Sequence, residues 1–346
     1  MYETHHYADY SSYNALAASG RNDAWVFGGA DTGEGPGRPI ARHWTGRAWR
    51  DVPMPAALKL PAYSASATSP SNAWALAGVA DGGPVYALRW NGHKWSISKQ
   101  WNDGLASDVV TFGPRNVWVL GYSRAGEGIG TWHFNGGAWK QVDTGKLLLH
   151  RLSATSAKDI WAVGAEYLTG CGDRTIARFD GKTWRQVEAG SALPPDIPEP
   201  DTGGPSQCVY LRDVAALSTK DVWVTGEVSR SDGEGNDTHE ALLLYWNGRT
   251  WQHVDMPNGR TPLRMVPDGR GGLWIIGDDN ASDPEGSSTH LLHRTASGAW
   301  TTTQIDAKGR TAQVSDLALI RGTRSLWGAG RVQTPDTYDA TVYRLD

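Results

Sequence analysis

Phenylalanine is scarce in this chain, with four residues, and so are methionine, with four, and cysteine, with two. A core poor in Phe and Met must be filled by other side chains. Two cysteines exclude a disulfide-dense mini-scaffold, and a pair this far apart makes a poor metal site. No run of about 18 apolar residues occurs, so no span long enough to cross a membrane as a helix is present. Neither sign of charge dominates: 33 Lys and Arg stand against 37 Asp and Glu, a formal net charge of -4. That balance lacks the broad basic surface that attracts phosphate backbones, and no nucleic-acid partner is expected. No Gly-x-Ser-x-Gly elbow, His-Glu-x-x-His helix or phosphate-cradling loop appears.

What is abundant is glycine, with 42 residues, and tryptophan, with 18. Together they describe a turn-rich all-β chain with an indole-filled core. A Trp with a turn residue two positions earlier recurs seven times, at Trp25, Trp74, Trp118, Trp161, Trp223, Trp274 and Trp327. Between these marks runs a second signature, an aromatic, a turn and another Trp: Trp44 to Trp49, Trp90 to Trp95, Phe134 to Trp139, Phe179 to Trp184 and Trp246 to Trp251. It is degenerate at Ser297-Gly298 to Trp300, and the seventh unit has none. Asn-Gly or Asp-Gly between two β-rich runs signals a hairpin with a type I′ turn.

Each unit reads as four short strands, clearest at Leu211 to Leu217, Val222 to Val228, Ala241 to Trp246 and Thr250 to Asp255. The first strand is built of small residues and the later ones carry the indoles, a taper that wedge-shaped blades around an axis require. The last unit stops at Leu345 after its third strand. The segment Tyr2 to Tyr10 has spare β-forming residues and is expected to supply the missing outer strand, closing residues 1–346 into one domain.

This pattern resembles the kelch-like and Asp-box-like group of β-propellers across essentially the whole chain, and is similar to bacterial and fungal seven-bladed propeller lectins. Phe179-Asp180-Gly181-Lys182-Thr183-Trp184 approaches the Asp-box of sialidases, without its preceding serine and usual spacing. Nothing matches the arginine clamp and nucleophilic tyrosine of that family. The resemblance implies an all-β, seven-bladed propeller of four-stranded antiparallel blades. For function it implies a carbohydrate-binding module; a protein-interaction scaffold and a propeller lyase or hydrolase are the alternatives.

The connections on one face are short and repetitive, whereas those on the other are long and differ in every blade, among them Glu166 to Asp173, Glu227 to Glu240 and the Pro-rich Ala189 to Gln207. Variable loops on a rigid frame are where binding residues concentrate. Ten residues before each marker Trp stand Ser64, Asp108, Arg151, Asp213 and Arg264, with Asp316 one step displaced. Alternating Asp and Arg at a central mouth can grip a polar ligand, or else pair with one another and hold the ring. The loop positions Glu166, Glu227 and Asp278 are further ligand-binding candidates. Tyr13, Tyr63, Tyr122, Tyr167 and Trp101 are candidate platforms for sugar rings. Asp232, Glu234 and Asp237, with Asp278, Asp279, Asp283 and Glu285, offer hard oxygen ligands, so Ca²⁺ is the one cofactor considered. His239-Glu240, His290 and His293 are the histidine clusters open to acid–base work. Cys171 and Cys208 both lie in Gly-rich loop sequence, which favours a disulfide over two free thiols, and with it a secreted or cell-surface setting. The start of the chain has no signal-peptide profile, as it would not once one had been removed. The expected partner is a glycan or a protein, bound by a monomer.

Overall fold

The computed structural model describes residues 2–7, 10–30, 37–78, 82–121, 128–166, 171–200, 204–257, 261–278, 289–305, 307–335 and 337–345, with the side chains of 2–7 and 278 left aside. Seven four-stranded antiparallel sheets follow one another along the chain. They are the blades of a propeller, each with strands A to D running outward from the axis. The one helical element among the described residues is a single turn, Gly190–Ala192.

The seventh sheet contains both chain ends. Its order places the first strand, Tyr2–Tyr7, outside the last, Tyr338–Leu345. The pairing runs from Tyr2 opposite Arg344 to Tyr7 opposite Ala340. The N-terminal strand therefore closes the ring, as the missing fourth strand required.

The repeat is explained by how neighbouring blades touch. Five marker Trp residues (Trp25, Trp74, Trp118, Trp161 and Trp327) pack against hairpin aromatics of the following blade: Trp25 lies 4.8 Å from Trp90 and 5.1 Å from Trp95, and Trp327 lies 5.3 Å from both Trp44 and Trp49. Such tilted and edge-on pairs add to the burial of the rings themselves. Blade 6 shows the rule by its exception. Arg294 stands opposite Trp300, where the other hairpins place an aromatic, and its guanidinium lies 4.4 Å over the Trp223 ring. A cation–π contact thus replaces the ring pair.

Two features differ from the sequence reading. In blades 1 to 5 the hairpins joining strands C and D are four-residue connections, not two-residue type I′ turns. In the second blade Trp90 pairs with Trp95, Asn91 Oδ1 accepts the N–H groups of His93 and Lys94 at 3.0 Å each, and only Gly92 takes a positive φ, of 94°. An Asn or Asp that caps the turn through its side chain makes a second positive φ unnecessary. The second difference lies in blade 5, whose strands are Ser206–Ser218, Asp221–Ser231, Asp237–Trp246 and Trp251–His253. Most of the stretch Glu227 to Glu240, expected as a loop, is strand, and the outer strand is only three residues long.

Candidate functional site

Strand A of six blades carries a β-bulge, and the residue just past it faces the axis. The bulge separates Tyr13 from Ala15, Ala62 from Ser64, Leu149 from Arg151, Leu211 from Asp213, Pro262 from Arg264 and Val314 from Asp316. Asp316 pairs with Ala329, two residues past the marker Trp, as Asp213 pairs with Thr225, so its displacement in sequence disappears in the fold. The structure brings Ser64, Asp108, Arg151, Asp213, Arg264 and Asp316 to one axial cavity of about 150 Å³.

These charges are already in use. Asp213 Oδ1 accepts the N–H of Val214 and Oδ2 that of Met265 in blade 6, each at 2.8 Å. Asp108 does the same for Val109 at 2.9 Å and Leu152 of blade 4 at 3.0 Å, and Asp316 for Leu317 at 3.0 Å and Leu16 of blade 1 at 2.8 Å. Each aspartate therefore satisfies one buried donor of its own blade and one of the next. The next blade needs no acceptor at that position, and in blades 4 and 6 an arginine occupies it. Arg151 lies 3.8 Å from Asp108 and Arg264 lies 3.6 Å from Asp316. Burial pushes the Asp213 and Asp316 carboxyls up, while Arg264 and Arg151 oppose the shift. This arrangement ties strand A to strand A around the ring, the structural role that alternating charges were also expected to serve.

The bulged residues themselves stand eleven positions before the marker Trp in regular blades; of these, sequence reasoning singled out Tyr63 and missed His150 and Arg212. Burial, together with Arg151, Arg212 and Arg264, pushes His150 down to about 3, so it adds no charge to the mouth at neutral pH. Burial also raises the Tyr63 hydroxyl, against the pull of Arg151. The sugar-platform expectation does not survive at two positions: Tyr13 is 0% and Trp101 8% exposed, both within the core. Tyr122 and Tyr167 lie outside the described residues, as do Asp279, Asp283 and Glu285. Asp278 ends strand B of blade 6, opposite Thr261.

Glu166 and Glu227 sit apart from the axis. Glu166 borders a polar cavity of about 430 Å³ with Arg174, Glu188 and Asp196. Above it the Pro-rich excursion is folded back and pinned. Ile197 and Gln207 exchange two backbone hydrogen bonds at 2.6 and 2.7 Å, and Asp196 accepts the N–H groups of Gly172 and Val209 at 3.2 and 2.9 Å. A Cβ on Gly172 would stand 2.0 Å from the Val209 carbonyl oxygen, so only glycine fits there. Cys171 and Cys208 are joined by a disulfide, which ties the end of the blade 4 loop to strand A of blade 5.

Past this brace the first three strands of blade 5 project from the ring as an ordered extension. Glu227 lies in it, 4% exposed. Arg212 donates to Glu227 Oε1, and Nδ1 of His239 lies 3.9 Å from Oε2, which receives no hydrogen bond among the described residues. At the tip, Asp232 accepts the Glu234 and Asn236 N–H groups at 2.7 and 3.1 Å and the Asn236 side-chain amide at 2.6 Å. The Asn236 amide and these N–H groups hold its carboxyl below the usual range. No group of three or more His, Cys, Asp or Glu among the described residues is placed to hold a metal ion. His293 is half-buried, stacked on Trp274 at 3.9 Å and 3.0 Å from Asp268.

No family model and no curated protein matches this chain. Solved structures resemble it in fold. One is YCF48 bound to D1 peptide, 12% identical with a TM-score of 0.58, the match covering 97% of this chain and 95% of that one. Another is the β-propeller domain of the trilobed protease from Pyrococcus furiosus, whose velcro topology is open, 7% identical with a TM-score of 0.56, covering 98% and 94%. A third is the GH74 xyloglucanase from Xanthomonas campestris, 13% identical with a TM-score of 0.53. There the match covers 92% of this chain but 51% of the enzyme. At such identities the likeness shows the propeller fold alone.

Proposed function

We propose that this propeller is a binding platform for a polypeptide, seated on the long-loop face over blades 4 and 5, and that it works outside the cell. The observation that carries this reading is the blade 5 extension. Strands A and B remain paired out to Ser206 opposite Ser231, and strands B and C out to Ser231 opposite Asp237, well beyond what closure of the ring needs. Rigid presentation of an exposed edge lowers the ordering cost of binding. The disulfide fits an oxidising compartment. That a propeller of similar fold has been seen with a bound peptide makes a polypeptide ligand a natural first choice. The glycan reading came from the resemblance to propeller lectins, and among the described residues the only aromatic of the exposed large hydrophobics that would serve as a sugar platform is Tyr10.

The test presents a displayed random-peptide library and a glycan array to the protein and to a variant in which residues 230–239 are replaced by Asn-Gly. Peptides are expected to be enriched by the parent and lost by the variant, with a blank array. Glycan binding that survives in the variant would overturn the reading.

A further inference from the structure

The outer edge of strand C in blade 5 is left open. Its partner strand reaches only from His253 opposite Leu244 to Trp251 opposite Trp246, and the last bond of that pairing is the Val254 N–H to the Leu243 carbonyl at 2.9 Å. Backbone groups alternate sides along a strand. Since the Leu243 carbonyl points outward and the register to strand B is unbroken, the N–H and C=O groups of Ala241 and His239 also point outward. Among the described residues nothing pairs with them. In blades 2, 3 and 6 the outer strand runs the length of its neighbour. In blade 1 the uncovered part of strand C contains Pro39, which has no N–H to offer. Blade 5 therefore presents a strand edge of a kind that blades 1, 2, 3 and 6 cover or blunt.

Two observations say what fits it. The first is charge. Residues 230 to 240 carry Asp232, Glu234, Asp237 and Glu240 against Arg230 alone, and Asp237 to Glu240 are all exposed. Two copies of this edge would repel, which disfavours self-pairing and favours a basic segment. The second is Glu227. It pairs with Ala241, so both side chains lie on one face of the sheet. Its inner oxygen is taken by Arg212, whereas Oε2, on the side of His239, is buried and receives no hydrogen bond among the described residues. A buried carboxylate oxygen without a donor is costly. Ala241 is too small to cover it, and a lysine on a strand added outside Ala241 stands about 10 Å, two strand spacings, from the Glu227 backbone. Long side chains span that gap.

Resting on the platform reading above, we infer that this edge binds an extended basic peptide segment as a fifth, antiparallel strand, with a lysine or arginine opposite Ala241 reaching Glu227. Backbone pairing supplies the affinity and the cation in its pocket the selectivity, the strand-addition mode of recognition.

The test uses the intact protein and capped nonapeptides alternating lysine and valine, followed by fluorescence anisotropy. The basic peptide is expected to bind at least tenfold more tightly than its glutamate–valine counterpart. N-methylation of the lysine amides, which face the edge, should cost at least tenfold, and of the valine amides less than twofold. Glu227→Gln should remove the advantage of lysine over norleucine opposite Ala241. Because that variant also disturbs Arg212, Ala241→Leu, which covers the carboxylate and leaves the ladder intact, should do the same. The amides of His239 and Ala241 should exchange rapidly in the free protein and become protected in the complex. No binding, equal binding of the acidic peptide, or indifference to lysine N-methylation would overturn the inference. Binding with protection elsewhere on the long-loop face would overturn it while leaving the platform reading in place; protection nowhere on that face would end both.

Discussion

Asp213 accounts for a pattern that reads as a ligand site. One carboxylate serves a donor in its own blade and a donor in the next, and the blade after it is then free to carry a cation. The alternation of Asp and Arg follows from shared acceptors. Replacing Asp213 with Ala strands two buried N–H groups and removes one of the carboxylates that face Arg264 and Arg151, at a cost of about 3 kcal/mol. Asp213→Asn keeps one acceptor for Met265 and should cost about 1 kcal/mol. Urea unfolding midpoints measure both. Unchanged midpoints with lost ligand binding would return the axial mouth to the role of a ligand site.

At the scale of elements, what was legible in the sequence depended on what enforces each one. The marker Trp and hairpin aromatics were plain because the same inter-blade contact recurs around the ring. The blade 5 extension was not. Its stretch from Ser229 to Glu240 has no apolar alternation, and it is strand because neighbouring strands and a covalent brace hold it there. The two cysteines were legible as a pair, and the extension they support was hidden. Cys171→Ser with Cys208→Ser should cost up to about 4 kcal/mol by the loop-closure argument. Hydrogen exchange should place the loss of protection between residues 189 and 210, with the far blades unchanged. Uniform loss around the ring would show that the brace serves the whole propeller.

The whole molecule is held by closure. Removing residues 1–9 bares the outer edge of the last strand, and the expected result is a Tm lower by about 5 °C and concentration-dependent self-association, since open edges recruit other strands. Scanning calorimetry and sedimentation measure these two effects. An unchanged Tm with a monomeric product would mean that the inter-blade packing and axial staples hold the ring without the N-terminal strand.

By itself the sequence determined the number of blades, their taper, the closing strand and the cysteine pair. Each is written as a local signal repeated along the chain, or as the absence of one where the repeat demands it. Tertiary structure alone decided that the axial charges serve the ring and, among the described residues, that Glu227 keeps a buried oxygen without a donor and that one strand edge stays open. Those facts depend on which backbone N–H groups neighbouring blades leave unpaired, and pairing between strands distant in sequence exists only once the ring has closed.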